Sequence, residues 1–173
     1  MRLAGSDTVC TERKDLWVEI GRQKEDEFVE FMKVERPDLK VEINPDKHLN
    51  VYVPDLLING ILCDLKTQET PFFKSADPRF TVTFNHKDYV RYKEKYPEIY
   101  VVFWVNWKVT EKKIRGETYT VEPLVGVWAC SMDTIERLTK QNAFRHQYLR
   151  RINDAVNAKE SYLIDVRELK QIA

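Results

Sequence analysis

Cysteine is scarce in this chain, and its distribution argues against two common kinds of stabilisation. Three cysteines occur among the 173 residues, at Cys10, Cys63 and Cys130. Their number is odd, their spacing is wide and no Cys-x-x-Cys pair occurs, so neither a disulfide framework nor a zinc site is expected. We therefore predict a protein that works reduced, in the cytoplasm.

The sequence also lacks long apolar runs and an excess of charge of either sign. The longest unbroken apolar run covers residues 99–105, which is far too short to span a bilayer, so no membrane association is expected. Basic and acidic residues number 28 each. This balance gives no direct support for nucleic-acid binding, but an acidic metal site can offset a basic rim, so binding is not excluded.

What the chain does contain is enough apolar and aromatic material for one core. Hydrophobic residues make up 43% of the sequence, and there are four Trp, eight Tyr and eight Phe residues. A chain of this length buries roughly 70% of the surface that its unfolded form exposes. We predict a single domain over residues 1–173, with a core over about residues 16–130 and a C-terminal helical extension over about 131–173.

The first part of the chain predicts a helix, a strand and a β-hairpin. Apolar side chains at helical spacing, followed by Pro37, predict a helix over residues 16–34. A short strand over residues 39–43 comes next. Asn59-Gly60 favours a type I′ turn, because both central positions of that turn need positive φ. The hairpin strands are expected over residues 51–58 and 61–67.

The rest of the chain alternates between further helices and strands. Strands are expected over residues 80–84, 99–107, 125–130 and 162–166. Helices are expected over residues 85–96, from Ser131 onward and over 143–158, with a loop over 68–79 and a loop or hairpin over 108–118. The order predicts an α/β fold with a central mixed β-sheet flanked by helices, and with extra helices at the C-terminal end.

The register of the hairpin places two acids opposite each other. A two-residue turn pairs Ile58 with Ile61, and the same register brings Asp55 opposite Asp64. Because side chains alternate between faces, Lys66 shares the face of these acids. The other face is apolar throughout: Leu56, Ile58, Ile61, Cys63 and Leu65.

Opposed carboxylates suggest a divalent cation. Cβ atoms of paired residues lie roughly 5 Å apart, and two carboxylates that close repel by about 3 kcal/mol at an effective dielectric constant near 20. Mg²⁺ removes that repulsion and activates water for attack on a phosphodiester. Alternation on a solvent-exposed sheet face would also produce acids and lysines without any metal. Pro54, which lacks an N–H, can shift the register.

These residues resemble a known motif. Pro54-Asp55, followed after eight residues by Asp64-Leu65-Lys66, resembles the PD-(D/E)xK nuclease superfamily, whose restriction-endonuclease-like core has the order αβββαβ. The resemblance implies a Mg²⁺-dependent DNA endonuclease, with Mn²⁺ able to substitute. It also implies that Asp55, Asp64 and the Leu65 carbonyl bind the metal and that Lys66 assists the attacking water.

The resemblance also implies a glutamate on the first helix. Glu25, four residues after Gly21, matches the expected spacing, and Glu27 and Glu19 are the alternatives. Gln68 continues the active face beyond Lys66, as an auxiliary residue or as an ordinary polar strand end.

Two basic stretches are candidates for contacts with DNA. Their residues are Lys112, Lys113 and Arg115 in the first stretch, and Arg150 and Arg151 in the second. Solvated surfaces explain them equally well. A homodimer is expected if the protein cuts both strands of a duplex, and the source could be a restriction system, a mobile element or a phage. The alternatives are a catalytically inactive nucleic-acid-binding or assembly module with the same fold, an interaction protein with an accidental acid pair, and an RNA substrate.

Overall fold

The structure is a computed structural model that describes residues 14–141, 145–147 and 160–173. The helices in these ranges are α1 (Lys14–Glu35), α2 (His86–Lys95) and α3 (Met132–Gln141), with 3₁₀ turns at Pro45–His48 and Val166–Glu168. The strands are β1 (Val41–Ile43), β2 (Leu56–Ile58), β3 (Ile61–Gln68), β4 (Thr81–Asn85), β5 (Tyr100–Asn106), β6 (Glu111–Ile114), β7 (Glu117–Thr120), β8 (Val125–Ser131), β9 (Arg145–Gln147), β10 (Glu160–Asp165) and β11 (Lys170–Gln171).

A six-stranded mixed sheet forms the centre of the fold. Its strand order is β1-β2-β3-β5-β8-β11. β3 and β5 run parallel, whereas the other neighbouring pairs are antiparallel. A parallel pair needs a crossover connection, which β4 and α2 provide. The expected mixed α/β fold with a mixed central sheet is therefore confirmed.

Helix α1 covers one face of this sheet. Phe28 and Met32, one helical turn apart, are fully buried against the apolar side chains of β2 and β3. Trp104 of β5 packs between two helix aromatics, with ring centroids 5.5 Å from Phe28 and 5.3 Å from Phe31. The apolar stripe of the helix and the alternation of the strands thus meet in one core layer.

The opposite face packs against α2 and a second sheet. That sheet has the order β4-β10-β9 and contributes Val82, Phe84 and Ile164 to the second core. Phe84 meets Phe103 of β5 edge to face, with ring centroids 6.2 Å apart. β5 is therefore covered on both sides, which fits its unbroken apolar sequence.

The predicted hairpin forms in the expected register, but its first strand is shorter. The pairs are Leu56 with Cys63, Leu57 with Leu62 and Ile58 with Ile61. Asn59 and Gly60 adopt φ values of 49° and 79°, as the turn requires. The strand expected from residue 51 begins only at Leu56, because Pro54 offers no N–H to the ladder. Asp55 and Asp64 are consequently not a ladder pair.

The C-terminal region contains more strand than was predicted. The helix expected over residues 143–158 is wrong at residues 145–147, which form β9, and the remainder of it lies outside the described residues. β10 pairs with β4 and β11 pairs with β8, so the segment over 131–173 is not a purely helical extension. Pairing with strands distant in sequence overrides the local helical pattern here. The undecided segment over 108–118 contains strand β6 and the turn to β7.

The two cysteines that the structure describes are buried, free thiols on opposite faces of the central sheet. Cys63 belongs to the layer under α1, and Cys130 belongs to the layer under α2. Burial raises the pKa of each thiol to about 12. None of the helices in the described ranges is long and apolar enough to cross a membrane.

Two glycine substitutions should change stability in opposite directions. Gly60 has positive φ, so Gly60→Ala should lower the free energy of unfolding by about 1 kcal/mol. Gly21 lies inside α1 with open space around its Cβ position, so Gly21→Ala should raise it by about 0.5–1 kcal/mol. Urea unfolding measures both. A stabilising Gly60→Ala would contradict the turn.

Candidate functional site

Asn44 joins the two ends of the segment between β1 and β2 through hydrogen bonds. The backbone N–H of Asn44 donates to Asp55 O (2.9 Å), and its side-chain amide donates to Pro54 O (2.8 Å). Its side-chain oxygen accepts from Asp46 N (3.1 Å) and caps the 3₁₀ turn that Pro45 begins. This buried amide therefore fixes the position of Asp55 outside any strand.

Asp55 reaches β3 through its side chain. Its Oδ2 accepts a hydrogen bond from Leu65 N (2.8 Å), a backbone donor beyond the end of the β2–β3 ladder. Its Oδ1 accepts from the ammonium of Lys47. Asp55 thus lies beside Asp64 and Leu65 even though it is not paired with them through the backbone.

The side chain of Asp64 lies on the face of β3 that packs against α2, and it is almost completely buried, with 3% of its surface exposed. The hydroxyl of Tyr92 donates to its Oδ1. Lys66 Nζ lies 2.8 Å from Oδ2 as an ion pair, but among the described residues no donor reaches this buried oxygen in hydrogen-bonding geometry. One carboxylate oxygen of Asp64 therefore keeps its capacity to accept.

Helix α2 supplies the partners that hold this side of the site. Lys66 Nζ donates to Asp88 Oδ2 at 2.6 Å. Arg91 lies 2.9 Å from the other oxygen of Asp88 and donates to the Tyr92 hydroxyl at 2.7 Å. The three helix residues share one face because they are three and four positions apart.

Burial and charge shift the pKa values of this group in different directions. Burial raises the pKa of Asp64 to about 7, and the charges of Asp55 and Asp88 add to the rise against the opposing effect of Lys66. Burial alone would lower the pKa of Lys66, but the neighbouring carboxylates outweigh it and raise that pKa well above its ordinary value. Burial also opposes ionisation of Asp88, yet Lys66 and Arg91 hold its pKa below the usual value. Lys66 is therefore an ammonium ion at neutral pH.

Of the three helix glutamates considered, the structure brings Glu25 to the site. Glu25 is 8% exposed, and its carboxylate accepts from the same Lys47 ammonium that bonds Asp55. The side chain of Glu27 is 54% exposed and pairs with Lys24 at 2.7 Å. Glu19 accepts a long hydrogen bond (3.4 Å) from Gln23 in an exposed position.

Sequence reasoning missed Lys47, Asp88, Arg91 and Tyr92. Lys47 carries no local signal, because its partners lie 22 residues before it and 8 residues after it. The α2 residues do carry a local sequence signal, since an acid, a base and a tyrosine at positions i, i+3 and i+4 share a helix face. Asp88 in the first turn of α2 also suits the helix dipole, which explains its presence without any site.

Gln68 links two sheets through its amide. Its Nε2 donates to Thr83 O (2.6 Å), and its Oε1 accepts from Thr83 N (3.1 Å). The side chain therefore acts towards β4 as a neighbouring strand would. This contact anchors β4 beside the end of β3.

The basic residues of the β6–β7 hairpin lie in the open. Lys112, Lys113 and Arg115 are all exposed, and Arg115 occupies the turn with φ of 51°. Lys108 N donates to Glu69 O (2.9 Å), which ties the chain entering this hairpin to the segment leaving β3. Arg150 and Arg151 lie outside the described residues.

The candidate site offers only a small set of ligands for a divalent metal ion. Among the described residues, no three His, Cys, Asp or Glu side chains converge in an arrangement that would hold a metal. Mg²⁺ commonly binds through only one or two carboxylates, with waters and substrate phosphate completing its shell. Asp55, Asp64 and the Leu65 carbonyl fit that smaller requirement. The observation in favour is the buried Asp64 Oδ2, which within the described part of the chain has the Lys66 ammonium as an ion-pair partner at 2.8 Å and no donor in hydrogen-bonding geometry.

Comparison with known proteins finds no matching family model, no significantly similar curated protein and no significantly similar solved structure. The relationship to PD-(D/E)xK nucleases therefore remains a prediction that rests on the motif residues and their arrangement.

Substitution of Asp64 should change how stability depends on pH in the absence of metal. Its raised pKa means that the folded state holds the proton more tightly than the unfolded state, whose aspartate pKa is about 3.9. The contribution of the Asp64 carboxyl to the free energy of unfolding is therefore present at low pH and is lost as pH rises towards about 7. The wild type should lose up to about 1.4 kcal/mol per pH unit relative to Asp64→Asn across that window. Chemical denaturation in EDTA measures it, and parallel profiles would contradict the burial of this carboxyl.

Proposed function

We propose that this protein is a Mg²⁺-dependent DNA endonuclease of the PD-(D/E)xK type. The observation that carries the proposal is that Asp55, from the segment before β2, bonds the backbone of β3 next to Asp64, with Lys66 in an ion pair with Asp64. Burying acids in this way is unfavourable for a protein that only needs to fold. The arrangement suits a site that uses these charges to bind a metal ion and a phosphate.

The topology supports this assignment. Leaving aside β4, which joins the second sheet, the chain runs α1, β1, β2, β3, α2, β5. The first three of these strands are antiparallel neighbours, and β5 then lies parallel to β3. We propose that this unit corresponds to the restriction-endonuclease-like αβββαβ core, with the candidate acids at the β2–β3 hairpin.

In this proposal Asp55, Asp64 and the Leu65 carbonyl would hold Mg²⁺, which would supply charge neutralisation and water activation. Lys66 is a charged donor in this proposal, because its raised pKa disfavours the neutral amine that a general base would need. Its ammonium stabilises negative charge developing on the phosphate and orients the attacking water. Lys66 also keeps 20% of its side chain exposed, so it remains reachable by a substrate.

The residues of α2 act as positioning residues. Asp88 holds the Lys66 ammonium at 2.6 Å, and Tyr92 fixes the orientation of the Asp64 carboxylate through its hydroxyl. Lys66 Nζ also lies 5.9 Å from the ring centroids of Phe84 and Tyr92, which limits where it can move. Fixed dipoles and charges around a reacting phosphate reduce the reorganisation that the reaction requires.

The proposed substrate is DNA, held in part by the exposed bases of the β6–β7 hairpin. Lys112, Lys113 and Arg115 would neutralise backbone phosphates, with affinity that falls as salt rises. One site of this kind cuts one strand, so we propose a homodimer for cleavage of a duplex.

A plasmid assay tests the catalytic proposal. Supercoiled DNA incubated with Mg²⁺ or Mn²⁺ should be nicked, and EDTA should abolish the nicking. Asp64→Ala should remove it, and Lys66→Met should slow it by about 100-fold or more, because a charge aimed at the phosphate is lost. Lys93→Met, which removes an α2 lysine that pairs with Glu136 of α3 and lies 5.8 Å from the Tyr89 ring centroid, serves as the matched control.

A second candidate is a nucleic-acid-binding or assembly module that does not cleave. The observation in its favour is that Lys47 and Lys66 already neutralise the buried acids, so the fold needs no metal to be stable. Gel-shift binding that is undiminished in EDTA, with no cutting of supercoiled, linear, branched or RNA substrates in any divalent metal, would favour the module over the enzyme.

A further inference from the structure

Lys47 lies between two carboxylates that come from different parts of the chain. Its ammonium bonds Glu25 of α1 and Asp55 at the entrance to β2, and all three side chains are largely buried, with 10–16% of each exposed. Burial alone would lower the pKa of Lys47, but these two acids raise it, so the lysine is charged. The bridge therefore joins the helix layer to the candidate metal site.

The position of Lys47 is built into the local backbone. It lies in the 3₁₀ turn Pro45–His48, whose start Asn44 caps and whose first residue, a proline, already has its φ restricted. Asn44 also bonds the carbonyls of Pro54 and Asp55, so the segment that carries Lys47 and the residue that receives it share one anchor. The fold thus fixes the backbone at both Lys47 and Asp55.

A divalent metal and this lysine would compete for the same acid. Asp55 Oδ1 accepts from Lys47, whereas Asp55 Oδ2 is used by the backbone N–H of Leu65. Each oxygen of Asp55 already accepts from one donor and has a second lone pair to offer, but a metal ion bound there would lie beside the positively charged Lys47 ammonium. Repulsion between the two cations therefore favours withdrawal of Lys47 when a metal binds. The flexible side chain of Lys47 yields more easily than a backbone group of a central strand.

We propose that Lys47 is a positioning residue whose ammonium holds Glu25 and Asp55 together and weakens metal binding by competing for Asp55. This inference rests on the proposed metal site. Lys47 keeps the two acids in place when no metal is bound, and it sets the metal concentration at which the site fills. Once displaced from Asp55, its ammonium still has Glu25 as a partner.

Substitution of Lys47 by methionine tests its bridging of the two acids and its competition with the metal separately. Without metal, Lys47→Met leaves Glu25 and Asp55 without their cation, so its melting temperature in EDTA should fall by several degrees. Its affinity for Mn²⁺, measured by calorimetry, should rise by about tenfold, which corresponds to about 1.4 kcal/mol. Saturating Mn²⁺ should therefore raise the melting temperature of the variant more than that of the wild type.

Lys40→Met is the matched control, because Lys40 pairs with Glu42 on the surface at 2.8 Å and, as far as the described residues go, has no ion pair with a site residue. It should leave Mn²⁺ affinity unchanged. Lys47→Gln keeps a hydrogen-bond donor and removes the charge, so it should fold if Lys47→Met does not, and should also bind Mn²⁺ more tightly.

The outcomes separate this inference from the proposed function. If the wild type binds Mn²⁺ and both Lys47 variants bind it equally or more weakly, the competition is overturned while the metal site stands. If neither the wild type nor the variants bind Mn²⁺, the inference and the metal-dependent function both fail. A Lys47→Met protein as stable in EDTA as the wild type would overturn the bridging role.

Discussion

Burial of the Asp64 carboxylate is the constraint around which the candidate site is arranged. An ionised carboxylate in a protein interior is stable only when cations and hydrogen bonds compensate for lost water. Lys66 and Tyr92 supply that compensation from the same strand and from α2. Lys66 is itself held by Asp88, so the sheet and the crossover helix must be correctly packed before the acid is tolerated.

The second acid depends on a different part of the fold. Asp55 is outside the ladder and is placed by Asn44 and by the N–H of Leu65, while Lys47 joins it to Glu25 on α1. Helix α1 packs on one face of the sheet and α2 on the other. The two acids therefore depend on helices in opposite layers of the fold, and β3 is the element that brings them together.

Local sequence signals predicted the parts of the site that lie close together along the chain. The Asn59-Gly60 turn determines the hairpin register, and alternation then places Asp64 and Lys66 on one face. The exact position of Asp55 was not predictable, because Pro54 ends the ladder and Asn44, the residue after β1, bonds the backbone at Pro54 and Asp55 instead. Lys47 and the α2 residues join the site only through tertiary packing. β9 was likewise missed because its partner, β10, follows it across residues 148–159.

The chemistry proposed for this protein depends on a divalent cation at Asp55 and Asp64, and anomalous X-ray diffraction from crystals grown with Mn²⁺ tests it most directly. The proposal predicts a manganese peak in contact with both carboxylates and with the Leu65 carbonyl, and the loss of that peak in Asp64→Asn crystals. Crystals of the intact protein that show no peak there, with Lys47 and Lys66 still bonded to the acids at saturating Mn²⁺, would contradict it.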